Sequence, residues 1–127
     1  MSVIGLNHVN IRSKDVLASA AFYEKVLQLR AQNGPMAMRP EQAQWLFDAN
    51  DHPIVHLRQY DTEPGPTGPF DHVAFSCSDL EGMIAHLTSL GIEFGRFDGL
   101  GGGVTQLFLT DPHGVHLELL FAGNQAA

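Results

Sequence analysis

One short string occurs twice in this chain. His8-Val9-Asn10-Ile11 recurs half a chain later as His72-Val73-Ala74-Phe75. Each copy is followed at the same offset by an acidic residue able to cap a helix, Asp15 in the first and Asp79 in the second. A helical stretch of similar length comes next in both. A chain built this way is a duplication of one unit, and the fold must be read as two copies of it.

The second helix has the plainer pattern. Leu80, Met83, Ile84, Leu87 and Leu90 recur at helical spacing, with Asp79 as N-cap and Gly91 in the terminating position. The first is expected over about residues 15–27, with Ala18, Phe22 and Val26 on one stripe and Tyr23 and Leu27 beside it. Segments 6–12, 44–48, 54–60, 70–76, 105–110 and 115–121 read as strands, and 29–32 and 92–97 as weaker ones. Asp111-Pro112-His113-Gly114 predicts a tight turn that joins the last two strands into a hairpin. The Pro- and Gly-rich segment 62–69 reads as a linker between the copies. The order in each half is strand, helix, strand, strand, strand. The fold class expected is therefore α+β, with modules at approximately 1–62 and 69–127 of a single domain, 1–127.

Alternation along the strands sorts their side chains onto two faces. His8, Asn10 and Arg12 share a face opposite Val9 and Ile11. His56, Arg58 and Tyr60 oppose Val55 and Leu57. His72, Ala74 and Ser76 oppose Val73, Phe75 and Cys77, and His116 and Glu118 oppose Leu117, Leu119 and Phe121. The apolar faces need the helices as cover. The polar faces carry imidazole or carboxylate at matching places in the two copies, since His8 and His56 are separated by nearly the same length of chain as His72 and Glu118. Such donors suit one borderline divalent ion: zinc, nickel, iron(II), cobalt or manganese. His56 is open to three roles: a fourth ligand, a general base beside the metal, or a pocket wall.

Composition removes several classes. Hydrophobic residues at 44% and charged residues at 17% describe a globular chain. A formal charge of −7 with seven basic residues argues against nucleic acid and against a polybasic membrane patch. No apolar run is long enough to span a bilayer, and the N-terminal residues lack a signal-peptide pattern. The single Cys77 excludes an internal disulfide and fits a reducing cytoplasm. The same residue falls on a helix-facing side, where an inert thiol is expected. His52, His86 and His113 are expected to be solvated. The run Gly99-Leu100-Gly101-Gly102-Gly103 lacks the Lys-Ser/Thr of a phosphate loop and is expected to be a mobile loop.

Four pieces together resemble the vicinal-oxygen-chelate superfamily, which includes glyoxalase I, extradiol dioxygenases, methylmalonyl-CoA epimerase, and fosfomycin and bleomycin resistance proteins. They are Asn7-His8-Val9-Asn10-Ile11, Ala21-Phe22-Tyr23-Glu24-Lys25-Val26-Leu27, Asp71-His72-Val73-Ala74-Phe75 and Asp111-Pro112-His113-Gly114-Val115-His116-Leu117-Glu118-Leu119. The resemblance implies paired βαβββ modules in a cup-shaped mixed sheet with flanking helices, in a homodimer that binds a small-molecule substrate. It implies one divalent metal ion per site, with ligands at the positions of His8, His72, Glu118 and His56. His56 departs from glyoxalase I, which usually has a carboxylate or amide there.

The implied chemistry is bidentate chelation of a small oxygen-rich substrate, with enediolate-type isomerisation or lyase chemistry. His56 and Glu118 are the candidate bases, and Arg12, Arg58, Tyr60, Phe108 and His116 the candidate substrate contacts. The alternative is a metal-independent, bleomycin-resistance-like binding protein. Ring-cleaving dioxygenases place a Tyr where this chain has Phe108, and fosfomycin-type transferases use a richer cationic set than Arg12 and Arg58. Both stand behind the first two readings.

Overall fold

The computed structural model describes residues 1–33, 39–62 and 65–123. The chain divides into two compact units, Met1–Pro66 and Thr67–Ala127. Of the expected linker, residues 63 and 64 lie outside the described residues.

The first unit holds β1 (Val9–Ser13), α1 (Val16–Leu27), β2 (Arg30–Gln32), β3 (Ala43–Phe47) and β4 (Pro53–Gln59). Its sheet runs β1-β4-β3-β2, with β1 parallel to β4 and the other pairs antiparallel. The Asp15 carboxylate caps α1 by accepting from the Ala18 N–H at 3.0 Å, and the helix ends on Gln28 in a left-handed conformation. Ile11, Val16, Ala20, Tyr23, Val26, Leu46, Val55 and Leu57 are buried.

The second unit repeats the order with β5 (Val73–Cys77), α2 (Leu80–Ser89), β6 (Gly95–Phe97), β7 (Thr105–Thr110) and β8 (His116–Phe121). Its sheet runs β5-β8-β7-β6, again with the first and last strands parallel. The Asp79 carboxylate accepts from the Gly82 N–H at 3.0 Å to cap α2. At the other end Ile92 N–H donates to Leu87 O and Gly91 N–H to Thr88 O, with Gly91 at φ +70°. That pair of bonds is the Schellman ending for which glycine is favoured. Leu87, Leu107, Leu109, Leu117, Leu119 and Phe121 form the buried centre. The α+β class and the βαβββ order of each half agree with the sequence expectation.

Several boundaries differ for identifiable reasons. The first and fifth strands begin at Val9 and Val73, so His8 and His72 stand just ahead of the ladder and not within it. Pairing with β4 and β8 starts only at Val9↔Val55 and Val73↔Leu117. Ser13 extends β1 by one residue with its side chain fully buried, where its hydroxyl meets that of Ser19 on α1 at 2.8 Å. The inner stripe of α1 is Val16, Ser19, Ala20, Tyr23 and Val26, and Ala18 is exposed. The expected stripe chose apolar residues alone, whereas a satisfied serine pair serves inside as well. Residues 92–94 do not join β6.

The hairpin turn forms as expected. The buried Asp111 carboxylate accepts from the His113 and Val115 N–H groups, both at 2.9 Å, and Gly114 takes φ +89°. The glycine run lies against the end of β8. A Cβ on Gly123 would come within 2.0 Å of Gly102 O, so the two backbones approach as closely there as glycine alone allows.

Cys77 is half-buried, and burial pushes its thiol up to about 11. At pH 8 only on the order of 0.1% is then thiolate, the reactive form. Alkylation by iodoacetamide at pH 8 is expected to run roughly 100-fold slower than with free cysteine. Timed mass spectrometry checks this, and labelling at the free-thiol rate would contradict it.

Candidate metal and substrate site

In the first unit β4 is central, so its open face is flanked on both sides. Asn10 of β1 and Trp45 of β3 are the register partners of His56. The Trp45 and His56 rings stack with centroids 4.1 Å apart and planes within 4°. The His8 ring meets Trp45 edge-on at 5.0 Å and lies 6.5 Å from His56, centroid to centroid. Asn10 Nδ2 donates to His56 Nδ1 at 3.2 Å. As placed, that bond leaves the proton on His56 Nε2. Turning the Asn10 amide over would fix the proton on Nδ1 and free Nε2 as a donor atom.

In the second unit β8 is central, with Ala74 and Phe108 as the register partners of Glu118. Glu118 is only 6% exposed although it lies on the open face. His72 Nε2 stands 3.1 Å from its Oε1. On the far side of the ring, His72 Nδ1–H donates to Asp71 Oδ2 at 2.8 Å. The first unit repeats this device, since His8 Nδ1–H donates to Asn7 Oδ1 at 2.7 Å. In both copies the residue before the histidine fixes the ring by its Nδ1 and directs Nε2 outward, as supporting residues do behind metal-bound histidines.

The spacing of the second pair also suits a chelate. Metal–nitrogen and metal–oxygen bonds of about 2.0–2.2 Å put adjacent ligand atoms roughly 3 Å apart. His72 Nε2 and Glu118 Oε1 already stand at that distance. Imidazole and carboxylate are the donor types that borderline divalent ions take. The structure thus brings His8 near His56 in one unit and His72 against Glu118 in the other. Among the described residues no group of three or more His, Cys, Asp or Glu side chains is placed to hold a metal ion.

The remaining expected contacts fall on the open faces. Arg12 and Arg58 are register partners, and the Arg12 guanidinium lies 4.4 Å from the Tyr60 ring centroid. Phe108 is 40% exposed beside Glu118, and His116 is exposed opposite Thr110. His52 is exposed, its Nε2 3.1 Å from Asn7 O. His86 and His113 are partly buried, and His113 Nε2 is buried with no partner among the described residues, so full solvation does not describe them. Sequence reasoning missed the anchoring roles of Asn7 and Asp71 and the stacking of Trp45. A side-chain oxygen just before each repeated histidine was the available signal for the first two.

The two central histidines shift in opposite directions. Burial first, then the charges of Arg58 and His8, holds His56 below the usual histidine range. The hydrogen bond to Asp71 first, and then Glu118, raises His72 against a smaller opposing effect of desolvation. The raised His72 stabilises the metal-free fold below about pH 6.5, and this is lost as pH climbs through its folded value. The lowered His56 stabilises it above about pH 6.5, and this is lost as pH falls through its own folded value. A proton NMR titration of the imidazole C–H signals is expected to show His56 titrating below about 6.5 and His72 above it. Reversal of that order would contradict the geometry described.

A sequence profile of the Glyoxalase/Bleomycin resistance protein/Dioxygenase superfamily matches residues 5–119. No curated protein sequence matches the chain. Among solved structures, a glyoxalase/dioxygenase from Nostoc punctiforme superposes with a TM-score of 0.77 at 14% identity, covering 95% of this chain and 92% of that one. A lactoylglutathione lyase from Agrobacterium tumefaciens gives 0.70 at 16% identity, covering 95% and 96%. The fosfomycin resistance protein FosX from Listeria monocytogenes gives 0.72 at 16% identity, covering 97% of each. These likenesses show the fold.

Proposed function

Since the chain belongs to the Glyoxalase/Bleomycin resistance protein/Dioxygenase superfamily, we propose that it is a divalent-metal-dependent enzyme of the glyoxalase type. The ligands are His8 and His56 from the first half with His72 and Glu118 from the second, drawn from one chain or from two chains of a homodimer. The observation that carries this reading is the His72–Glu118 pair at 3.1 Å, with the imidazole anchored from behind by Asp71. The Asn7–His8 pair repeats the anchor in the other copy. The similar structures include a lactoylglutathione lyase and a glyoxalase/dioxygenase, names in keeping with this reading. A cytoplasmic setting fits a chain whose single cysteine is Cys77.

When bound, a divalent ion supplies a Lewis acid for two neighbouring substrate oxygens. The chain's own side chains do the rest. His56, held below the usual histidine range, is neutral near pH 7, and when its Nε2 is not bound to the ion it can take a proton alpha to a carbonyl, one role excluding the other. Glu118 is the second candidate base, able to serve only by leaving the ion transiently, and its burial beside His72 keeps bulk water from it. Arg12, Arg58 and Tyr60 contact the substrate from the first half, and Phe108 and His116 from the second.

A metal-independent binder of planar drugs or metabolites is the second reading, favoured by the exposed Phe97 and Phe108 and the half-buried Trp45–His56 stack. Deuterium exchange separates the two. Metal-loaded protein is incubated in heavy water with a panel of alpha-hydroxy and alpha-keto compounds, and loss of the alpha proton is followed by NMR. Exchange that stops after chelation and resumes on metal addition supports the enzyme. Exchange at full rate in metal-free protein sinks it, and stoichiometric binding of a planar ligand without exchange supports the binder.

A further inference from the structure

Arginine pairing in this acidic chain is uneven. Arg30 pairs with Asp51, Arg39 with Glu41 and Arg96 with Asp98. The other two arginines, Arg12 and Arg58, have no carboxylate partner among the described residues, and they are the two that stand side by side. They are register partners on the parallel strands β1 and β4, both exposed on the open face. Like charges opposite one another on adjacent strands destabilise a sheet. Although the chain has 14 acidic residues, none among the described residues neutralises this pair.

A ring contact holds Arg12 in position. The Arg12 guanidinium rests over the Tyr60 ring at 4.4 Å, which orients it without neutralising it. Arg58 follows His56 by two residues on one strand, so it lies on the same face about 7 Å further along. The stacked Trp45 and His56 rings give a flat wall in the row beside them. Guanidinium groups are forked donors that match the paired oxygens of carboxylate, phosphonate and phosphate.

We infer that Arg12 and Arg58 form a clamp for the oxyanion end of the substrate. The substrate is then a small anion whose charged group sits about 7 Å from the atoms beside His56, with its body against the Trp45–His56 wall. The chelating end rests on the function proposed above, but the clamp does not need the metal to bind an anion. It sets the substrate class: neutral carbonyl compounds are poor ligands, and carboxylates, phosphonates or phosphate esters are good ones.

Trp45 is the only tryptophan of the chain and lies one row from the clamp, so its emission reports occupancy without knowledge of the reaction. The full chain, with and without added zinc, is titrated at low ionic strength with benzoate, phenylphosphonate, phenyl phosphate and neutral benzamide. Saturable changes with one or more of the anions, at least tenfold tighter than with benzamide, are expected, and the best of the three identifies the group. Arg12→Gln and Arg58→Gln are each expected to weaken that anion at least tenfold, with Arg58→Lys intermediate, circular dichroism unchanged and a melting temperature no lower than wild type. Equal binding of benzamide, or Gln variants that bind the anions as tightly as wild type, would overturn the clamp. The five candidate metals are also measured on the same samples. A normal metal content with no anion binding removes the clamp alone, whereas Arg-dependent anion binding by protein that takes up none of the five removes the metal reading alone.

Discussion

Glu118→Ala is expected to lower divalent-metal affinity at least 100-fold and to abolish metal-dependent turnover. Loss of a group that merely supports a ligand costs 10–100-fold, and loss of a ligand costs more. Glu118 is the buried member of its pair and projects from central β8, flanked by Ala74 and Phe108, so nothing nearby can substitute for its carboxylate. Glu118→Gln separates charge from shape, because the amide keeps the volume and a hydrogen bond with His72 but is a far weaker ligand. It is expected to fold like wild type and still lose metal, whereas Asp71→Asn, which weakens the anchor behind His72, should lose only 10–100-fold. Isothermal titration with zinc and nickel measures all three. Wild-type affinity in Glu118→Gln would remove Glu118 from the ligand set.

Leu57→Ala is expected to cost about 3 kcal/mol of stability, the usual range for a fully buried leucine being roughly 2–5. Leu57 has no exposed surface and sits in central β4 between Ile11 and Gln44. Its neighbours, themselves fixed in strands, can collapse little into the space left. Such a loss is a large share of the ~5–15 kcal/mol that holds an ordinary domain, and should lower the melting temperature by roughly 10 °C. Leu17, 52% exposed on the outer side of α1, is the control, and its alanine variant should change stability by no more than about 0.5 kcal/mol. Urea unfolding followed by Trp45 emission reads the first unit directly. Equal costs for Leu57→Ala and Leu17→Ala would contradict the packing described.

The repeat and the strand alternation carried most of the fold. Once His8-Val9-Asn10-Ile11 and His72-Val73-Ala74-Phe75 are aligned, the order of elements and the inward positions of Ile11, Val55, Leu57, Leu117 and Leu119 follow from period two. Ser13 and Ser19 did not follow, because hydropathy places serine outside and their mutual hydrogen bond is visible only in three dimensions. Ala18 was misplaced for the complementary reason, as an alanine is small enough for either side of a helix.

At the site, residue types pointed to a metal, and the structure brings together two pairs, the His8 and His56 rings 6.5 Å apart between centroids and His72 against Glu118. The roles of Asn7 and Asp71 depend on strands that begin three residues later than expected, at Val9 and Val73. The Trp45–His56 stack depends on the register of β3 against β4, which no local pattern in the sequence encodes.

The central claim is one divalent ion held by His8, His56, His72 and Glu118. Elemental analysis of untagged protein, after dialysis against trace zinc, nickel, iron(II), cobalt and manganese, tests it most directly when His8→Ala and Glu118→Ala are carried through the same procedure. The account predicts about one transition metal per chain in the wild type and loss of it in both variants, although the two residues belong to different halves of the sequence. A wild-type protein that takes up none of the five ions, or variants that keep the full complement, would contradict it.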